Sequence, residues 1–490
     1  MLKADTVIKI QIKKGNVFMK IKKIISMVMC IAMAAGLASC GNENSGSVDT
    51  LTWYLPSDTL TDKAAVEEEI NRITEPKIGA KVNIETIDMG AYGEKMKMKM
   101  ASGDADYDLM FVGYLNSYKD AVKNEVLEPL TELIDKNAPE LWDAVEDYIW
   151  EDAKYEDEIY AVPNTQIEAV QYAYGVQKSL AEKYGLDKDQ IESPEELEDF
   201  LAKVKEGEPD IYPYRTNYGM TMWIGPKYES IAGGFVVPIE GDASKAVMNY
   251  DTPEYQQGVK TLRDWFNKGY IRKDVASATD DDTDFKAKRY AVFSLTWKPG
   301  VESIYPDYTF VKVGKPFMSN GGTQATMIGI NYTSKNKDTA IKLISLINTD
   351  KELYNLVSLG IKDKHYTVNA DGKYSAIKDS GYGIQGWMVG NQFNQLIQEN
   401  QDDDVWEVTK AFNDSAQKSQ LSGFWFDDTN VKAQISAIAA IGGEYGALNN
   451  GSRDSAEFWD DMKARYESAG LGQIKDEVQK QFDEFFANKK

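Results

Sequence analysis

The chain of 490 residues is short of cysteine, of histidine and of base. It holds two Cys, one His and 55 Lys plus Arg against 78 Asp plus Glu. Each shortage excludes something. The cysteines, Cys30 and Cys40, both lie near the N-terminus, so no disulfide can staple the body of the protein. A body of roughly 440 residues has no need of one, because so long a chain already buries most of its surface. That length corresponds to two or three domains. The lone histidine, His365, excludes a His-rich zinc site, and any Ser-His-Asp or Cys-His site would have to use it. It stands in Lys362-Asp363-Lys364-His365-Tyr366, a polar run that reads as loop, where a structural or solvent-facing role is expected. The deficit of base gives a net charge of −23. Residues 1–39 carry seven lysines and one aspartate. Without them the charge is about −29, a surface that repels phosphate backbones and anionic head groups. Nucleic acid is therefore not an expected partner. The acids are dispersed among apolar residues, as on a solvated globular surface.

What is present begins with the N-terminus. Lys20, Lys22 and Lys23 form a basic region, and Ile24–Gly36 is an apolar run too short to span a bilayer. Leu37-Ala38-Ser39-Cys40 follows, the bacterial lipobox pattern. Small residues let the backbone enter the peptidase site, the Cys40 thiol takes diacylglycerol, and cleavage leaves Cys40 first. Residues 1–39 are thus expected to be a signal peptide. Residues 1–18 precede a signal peptide already complete from Met19 and read as an upstream start. Residues 40–48 read as a lipidated, flexible tether. The expected location is the outer face of the cell membrane, held by lipid on Cys40.

Further on, residues of strand type at Thr50–Leu55 stop at Pro56. Val66, Ile70 and Ile73 give a helical face. Val82–Ile87 alternates as a strand, Tyr92–Ala101 reads as helix, and Asp108–Val112 is a buried strand ending at Gly113. Strand, helix, strand, helix, strand argues for an α/β layer with a mostly parallel sheet. A second unit follows Tyr160-Ala161-Val162-Pro163. Ser193-Pro194-Glu195-Glu196 is a capping box with Pro at the first helical position. Thr252-Pro253-Glu254 opens a helix that stops at Gly269. Ala291–Leu295 and Thr326–Asn331 read as strands. From about Gly383 the chain reads mostly helical, and its last helix carries Ile474, Val478, Phe482, Phe485 and Phe486 on one face.

This order resembles the family 1 extracellular solute-binding proteins, the lipoproteins that feed ABC sugar importers. Leu51-Thr52-Trp53-Tyr54, the run Ala101–Leu109, Ile159–Pro163 and Ile330–Lys337 carry the resemblance. Gly360–Tyr366 and the final amphipathic helix are similar to a Gram-positive subgroup with its own C-terminal domain. The resemblance implies an α/β fold of the periplasmic-binding-protein type II kind: two α/β lobes, a hinge and a cleft, with a mostly helical C-terminal segment. It places lobe one at 49–163 plus 326–380 and lobe two at 164–325 plus 381–490. It also implies a small-molecule ligand, most simply a sugar, the permease subunits of an ABC importer as partners, a monomer, no cofactor and no catalysis.

Ligands of such sheets bind outside the carboxyl ends of the strands. That rule selects Trp53 and Tyr54 after the first strand, Tyr114 and Asn116 after Gly113, and Asn164 after the first crossing between lobes. It also selects Trp297 and Lys298 after a lobe-two strand. Trp223, Trp387 and Asn391 join them from Gly-bounded loops. Trp425 and Asp427, in a loop near the C-terminal helices, and Gln166 are further candidates. Tryptophan and tyrosine offer flat faces for sugar rings, and asparagine bridges neighbouring hydroxyls. Trp297 and Trp53, from opposite lobes, are the expected stacking pair. Trp142, Trp150, Trp265, Trp406 and Trp459 fall in helical patterns and read as core. Asp280–Asp284 offers alternate carboxylates, but a calcium loop would need Gly and Glu where Phe285 and Ala291 stand. No Gly-Lys-Ser/Thr phosphate loop is present, which excludes an ATPase. A binder of a non-sugar solute, a sensor and a surface glycosidase with a hidden carboxylate pair stay open as alternatives.

Overall fold

The computed structural model describes residues 48–103 and 106–489; the expectations for residues 1–47, Cys40 among them, lie outside the described residues. In β1 (Asp49–Pro56), Leu51, Trp53 and Leu55 point to one side and are sealed from solvent, while Thr52 and Tyr54 are half-buried on the other. The period of two in that strand fixes which side faces the core. β1 pairs in parallel with β2 (Ala80–Ile87), Trp53 opposite Ile84, and on its other edge with β3 (Leu109–Gly113). β4 (Ala161–Pro163) ends this first pass. The chain then crosses to β5 (Val170–Gln177) and β6 (Tyr212–Tyr214). A small three-stranded sheet follows, made of β7 (Tyr228–Ser230), β8 (Phe235–Pro238) and β9 (Val247–Met248). β10 (Tyr290–Trp297) and β11 (Tyr308–Met318) complete the second pass. The chain returns in β12 (Thr326–Ile330) and later adds β13 (Gln417–Lys418).

Two five-stranded sheets result, in the orders β2-β1-β3-β12-β4 and β13-β11-β5-β10-β6. Each has its own core. Leu51, Trp53, Ile84, Phe111 and Ile344 belong to one; Tyr174, Trp223, Leu262, Trp265 and Phe482 belong to the other. This is the two-lobed α/β architecture expected of a type II binding-protein fold. Gly113 takes φ 150°, and a Cβ there would lie 2.0 Å from the Ala325 carbonyl oxygen, so only glycine lets β3 end against the crossing that opens β12.

Local signals act as expected. Glu196 accepts from the Ser193 N–H at 2.9 Å in the capping box. The Thr252 hydroxyl accepts from Tyr255 N–H at 3.2 Å, and Gly269 closes that helix with φ 76°. The Asp280–Asp284 run is used by arginine. Arg272, 5% exposed, meets Asp274, Asp280 and Asp284, and Arg215 meets Asp281 and Asp282. A guanidinium taken that far from water requires such partners. His365 is buried rather than solvent-facing. Its Nε2 lies 2.8 Å from Asp62 Oδ2, and its Nδ1 accepts from the Ile361 N–H.

Two expectations need correction. The segment placed in lobe two from residue 381 first serves lobe one, since Tyr382, Ile384, Met388 and Val389 are buried in the first core. The third crossing between lobes therefore falls after Gly390. The segment 383–404 is also not helical beyond single turns at Gly386–Met388 and Gln392–Asn394. Helices resume with α2 (Val405–Ser415), α3 (Lys432–Glu444), α4 (Ser455–Ser468) and α5 (Leu471–Asn488), numbered after α1 (Tyr118–Lys123) in lobe one. Ile474, Val478 and Phe482 of α5 are buried as expected, which anchors the tail to the second core.

Candidate binding site

The parallel strands β1, β2, β3 and β4 all end on the same side of lobe one, beside the crossings. There Tyr114 stands 55% exposed just after β3. Its ring lies 5.7 Å from that of Trp387, which packs edge-on against Phe111. The Tyr114 hydroxyl reaches Met89, another exposed apolar residue at a strand end. Exposed aromatic surface on a rigid strand end is a ledge for a ligand. Asn116 sits below it, its Nδ2 donating to Phe111 O at 3.0 Å and its Oδ1 buried without a partner among the described residues.

On lobe two, the start of β5 and the end of β11 meet the crossings. Over them lies a cavity of about 860 Å³, within the range of small-ligand sites. Tyr172, Tyr218, Tyr228, Asn249 and Asn320 are among its lining residues. The charged group among its lining residues is Glu229. Its carboxylate already accepts from Asn320 N–H and from the Ser419 hydroxyl, and burial pushes its pKa up. A smaller cavity of about 200 Å³ shares Ser230 and Asn320 with it and reaches Lys119 of lobe one.

The candidates chosen from the sequence scatter around this site. Tyr114, Trp387 and Asn116 come together on the ledge. Lys298 stays exposed while its surroundings lower its pKa by desolvation, the signature of a side chain in a recess. Asn164 is buried at the hinge, accepting from Gly390 N–H at 2.8 Å, with its Nδ2 lacking a partner among the described residues. Gln166 donates to the Thr326 hydroxyl at 3.0 Å and also belongs to the hinge. Asn391 caps a turn through Phe393 N–H and opens on a separate hinge cavity of about 340 Å³. Tyr54 is half-buried between Tyr107 and Lys99, away from the strand ends.

Four tryptophans among the ligand candidates are packed into the fold instead. Trp53 is 1% exposed in the first core, because β1 runs on to Pro56 and its inward face includes Trp53. Trp297 does end β10 but faces α2. Phe412 meets it edge-on at 5.3 Å, Lys312 Nζ covers its ring at 3.2 Å, and its indole N–H donates to Glu302. No face is left for a sugar, so the pair Trp53 and Trp297 cannot stack on a ligand. Trp223 is buried and donates to Glu195 at 2.7 Å. Trp425 docks on lobe one between Tyr118 and Tyr155, and Asp427 beside it pairs with Lys123. Of the tryptophans read as core, Trp265 and Trp150 are buried, while Trp142, Trp406 and Trp459 are half-buried. Tyr172, Tyr218, Tyr228 and Asn320 escaped the sequence reading. The alternation of Val170, Tyr172, Tyr174 and Val176 was the available signal for the first of them.

A family model described as bacterial extracellular solute-binding protein matches residues 57–353, and one described as a domain of unknown function (DUF3502) matches residues 420–487. The chain is 31% identical to a protein of Streptococcus pneumoniae serotype 4 named carbohydrate ABC transporter substrate-binding protein, over 94% of this chain and 97% of the relative. Among solved structures it is similar to the N-glycan transport solute binding protein (NgtS) from Streptococcus pneumoniae. Identity is 28%, coverage is 90% of this chain and 100% of that one, and the TM-score is 0.80. Against the same relative in complex with Man1GlcNAc, the TM-score is 0.71, with 89% and 99% of the two chains covered. In complex with Man5GlcNAc it is 0.69, with 90% and 99% covered. With two α/β lobes joined by crossing segments, the chain belongs to the bacterial extracellular solute-binding protein family.

Proposed function

We propose that the chain captures a carbohydrate outside the cell and delivers it to an ABC importer. The observation that carries this reading is the cavity on lobe two, lined by tyrosine and asparagine, together with an exposed aromatic ledge on lobe one. Tyrosine rings stack on sugar faces, and hydroxyl and amide groups bridge sugar hydroxyls. Relatives named as carbohydrate and N-glycan binders support it. A glycosidase would need two opposed carboxylates, whereas the cavity lining contributes Glu229 and that group is already bonded.

In this reading residues 49–163 and 326–390 move as one lobe, and 164–325 with the remainder as the other. Tyr114, Trp387, Asn116 and Lys298 contact ligand from the cleft edge. The protein works as a monomer at the outer face of the membrane, anchored through Cys40. Mass spectrometry of the membrane fraction tests the anchor: a mature N-terminus at Cys40 carrying acyl chains is expected, and an unmodified Cys40 would refute it. Calorimetry of the mature protein against Man1GlcNAc, Man5GlcNAc, maltopentaose, xylopentaose and short peptides tests the ligand class. Binding of a saccharide is expected; binding of a peptide alone would refute the reading. Loss of uptake of the bound sugar in a deletion strain separates an importer from a sensor.

A further inference from the structure

We infer that the C-terminal segment, residues 420–487, is itself part of the ligand site: it forms the far wall of the main cavity and receives an uncharged sugar unit beneath Tyr466. The inference rests on the carbohydrate reading and deepens it. Ile438, Ala439 and Gly442 of α3, Tyr445 after it, and Met462 and Tyr466 of α4 all line the cavity. The opposite side is built by Tyr172 and Tyr218 of lobe two.

The tail divides its work. Attachment is supplied elsewhere: by Ile474, Val478 and Phe482 of α5 in the second core, and by Trp425 between Tyr118 and Tyr155. A helix that served only to cover core would bury the residues it turns inward. Ala439 lines the cavity and is nonetheless exposed, so α3 leaves space in front of itself. Gly442 enlarges that space. A Cβ there would lie 3.1 Å from the Tyr466 hydroxyl oxygen, so the glycine keeps that hydroxyl clear.

The chemistry of the space is specific. Tyr466 is stacked on Tyr250, with ring centroids 5.7 Å apart and planes at 17°, which fixes its orientation. The hydroxyls of Tyr466, Tyr172 and Tyr218 have no hydrogen-bond partner among the described residues. Rigid rings that present free hydroxyls to a cavity bind polyols at little entropic cost. Charge is withheld from the same space, because Glu229 is engaged by Asn320 and Ser419 and desolvation disfavours its ionised form. A carboxylated ligand would find no counter-charge among these lining residues, and the carboxylate a cationic ligand would seek is already bonded. The occupant is therefore a neutral saccharide unit, lying between the tail and the start of β5.

Calorimetry on the mature chain tests this with Man5GlcNAc, maltopentaose and xylopentaose as neutral probes and tetragalacturonate as the charged one. Tyr466→Phe keeps the stack on Tyr250 and removes one hydroxyl, so the neutral probe that binds is expected to weaken about three- to tenfold. Ala439→Trp fills the space from an exposed position and should cost tenfold or more, with an unliganded melting temperature close to wild type. Tyr172→Phe, outside the tail, reports on the site independently of it. Tail variants that bind like wild type, while Tyr172→Phe is weakened, would overturn the role of the tail. Tighter binding of tetragalacturonate than of the neutral probes would overturn the neutral class. A wild-type chain that binds none of the neutral probes would instead refute the carbohydrate reading.

Discussion

Asn413 of α2 holds the first crossing between the lobes by the backbone at Glu168. Its Oδ1 accepts from the N–H groups of Glu168 at 3.1 Å and Ala169 at 3.2 Å, and its Nδ2 donates to Gln166 O at 2.7 Å. The Glu168 carboxylate in turn accepts from the Tyr148 hydroxyl at 2.9 Å. One side chain thus ties the third crossing to the first. The carboxyl beside it is buried, 8% exposed, and burial pushes its pKa up to about 7 despite the Tyr148 and Gln166 hydrogen bonds; nearby Asp152 and Glu146 raise it further.

That raised carboxyl makes the hinge sensitive to pH. An unfolded glutamate titrates near 4.3, so the folded state favours the protonated form. The stabilisation is fully present below the unfolded value and is lost as pH rises towards 7. Between pH 5 and pH 8 the wild type should lose about 2–3 kcal/mol relative to Glu168→Gln, which stays neutral throughout. Urea denaturation of both proteins at the two pH values measures the difference. Equal slopes with pH would mean that Glu168 is ionised in the fold without penalty.

Trp53 and Tyr114 separate core from ledge. Trp53 fills the first core, so Trp53→Ala should cost about 3–5 kcal/mol of stability and leave the affinity of the folded fraction intact. Tyr114 supports little, being largely exposed, so Tyr114→Ala should leave the melting temperature nearly unchanged. Its loss should weaken saccharide binding by about tenfold, as for an aromatic anchor. Thermal melts and calorimetry on the same preparations decide both. Lost affinity in folded Trp53→Ala, with none in Tyr114→Ala, would put the site elsewhere.

The reach of the sequence is clear from these residues. Lobe one could be read because β1 and β2 alternate, β3 is a short continuous apolar run, and the three are separated by helices with visible faces. The caps at Ser193 and Thr252 are local chemistry and survive in the fold. Lobe two was harder. β5 and β11 pair along most of their length at its centre, yet neither was recognised. Val170–Gln177 alternates Val, Tyr, Tyr and Val with Gln, Ala, Gly and Gln, but it is buried on both faces over most of its length, and Gly175 interrupts it where the Phe293 ring packs closely. The strand-end rule selected Tyr114, which stands exposed beyond β3, and Trp297, which is covered, since position along a strand does not say which face a side chain takes once α2 covers one of them. Trp387 could be named only from composition. Nothing local announces that residues 382–389 return to the first core.

The tail's grip on lobe one should come from packing rather than charge. Trp425 lies 5.4 Å from the Tyr118 ring and 4.7 Å from Tyr155. Asp427 pairs with Lys123, which holds its carboxyl well below the usual range. The pair is part-exposed, Asp427 more than Lys123, so Lys123→Ala should cost about 1 kcal/mol. Trp425→Ala should cost about 2–3 kcal/mol, through lost burial and two aromatic contacts. It should also speed hydrogen exchange in Tyr118–Lys123. Unchanged exchange there would show that the tail does not brace α1.

Ligand should draw the lobes together. The ledge at Tyr114 and Trp387 belongs to lobe one, whereas the main cavity is walled by lobe two and the tail. A saccharide seated in the cavity gains the ledge contacts only if the lobes rotate about the crossings, and that differential contact is what drives hinge closure. Small-angle scattering should therefore give a smaller radius of gyration with saturating saccharide. At about 100 times the dissociation constant the ligand should add about 2.7 kcal/mol of apparent stability. Tyr114→Ala should still bind weakly through the cavity while closing less completely. A saccharide that binds tightly and leaves the radius unchanged would mean that the cavity takes ligand without the ledge, and that closure is no part of recognition.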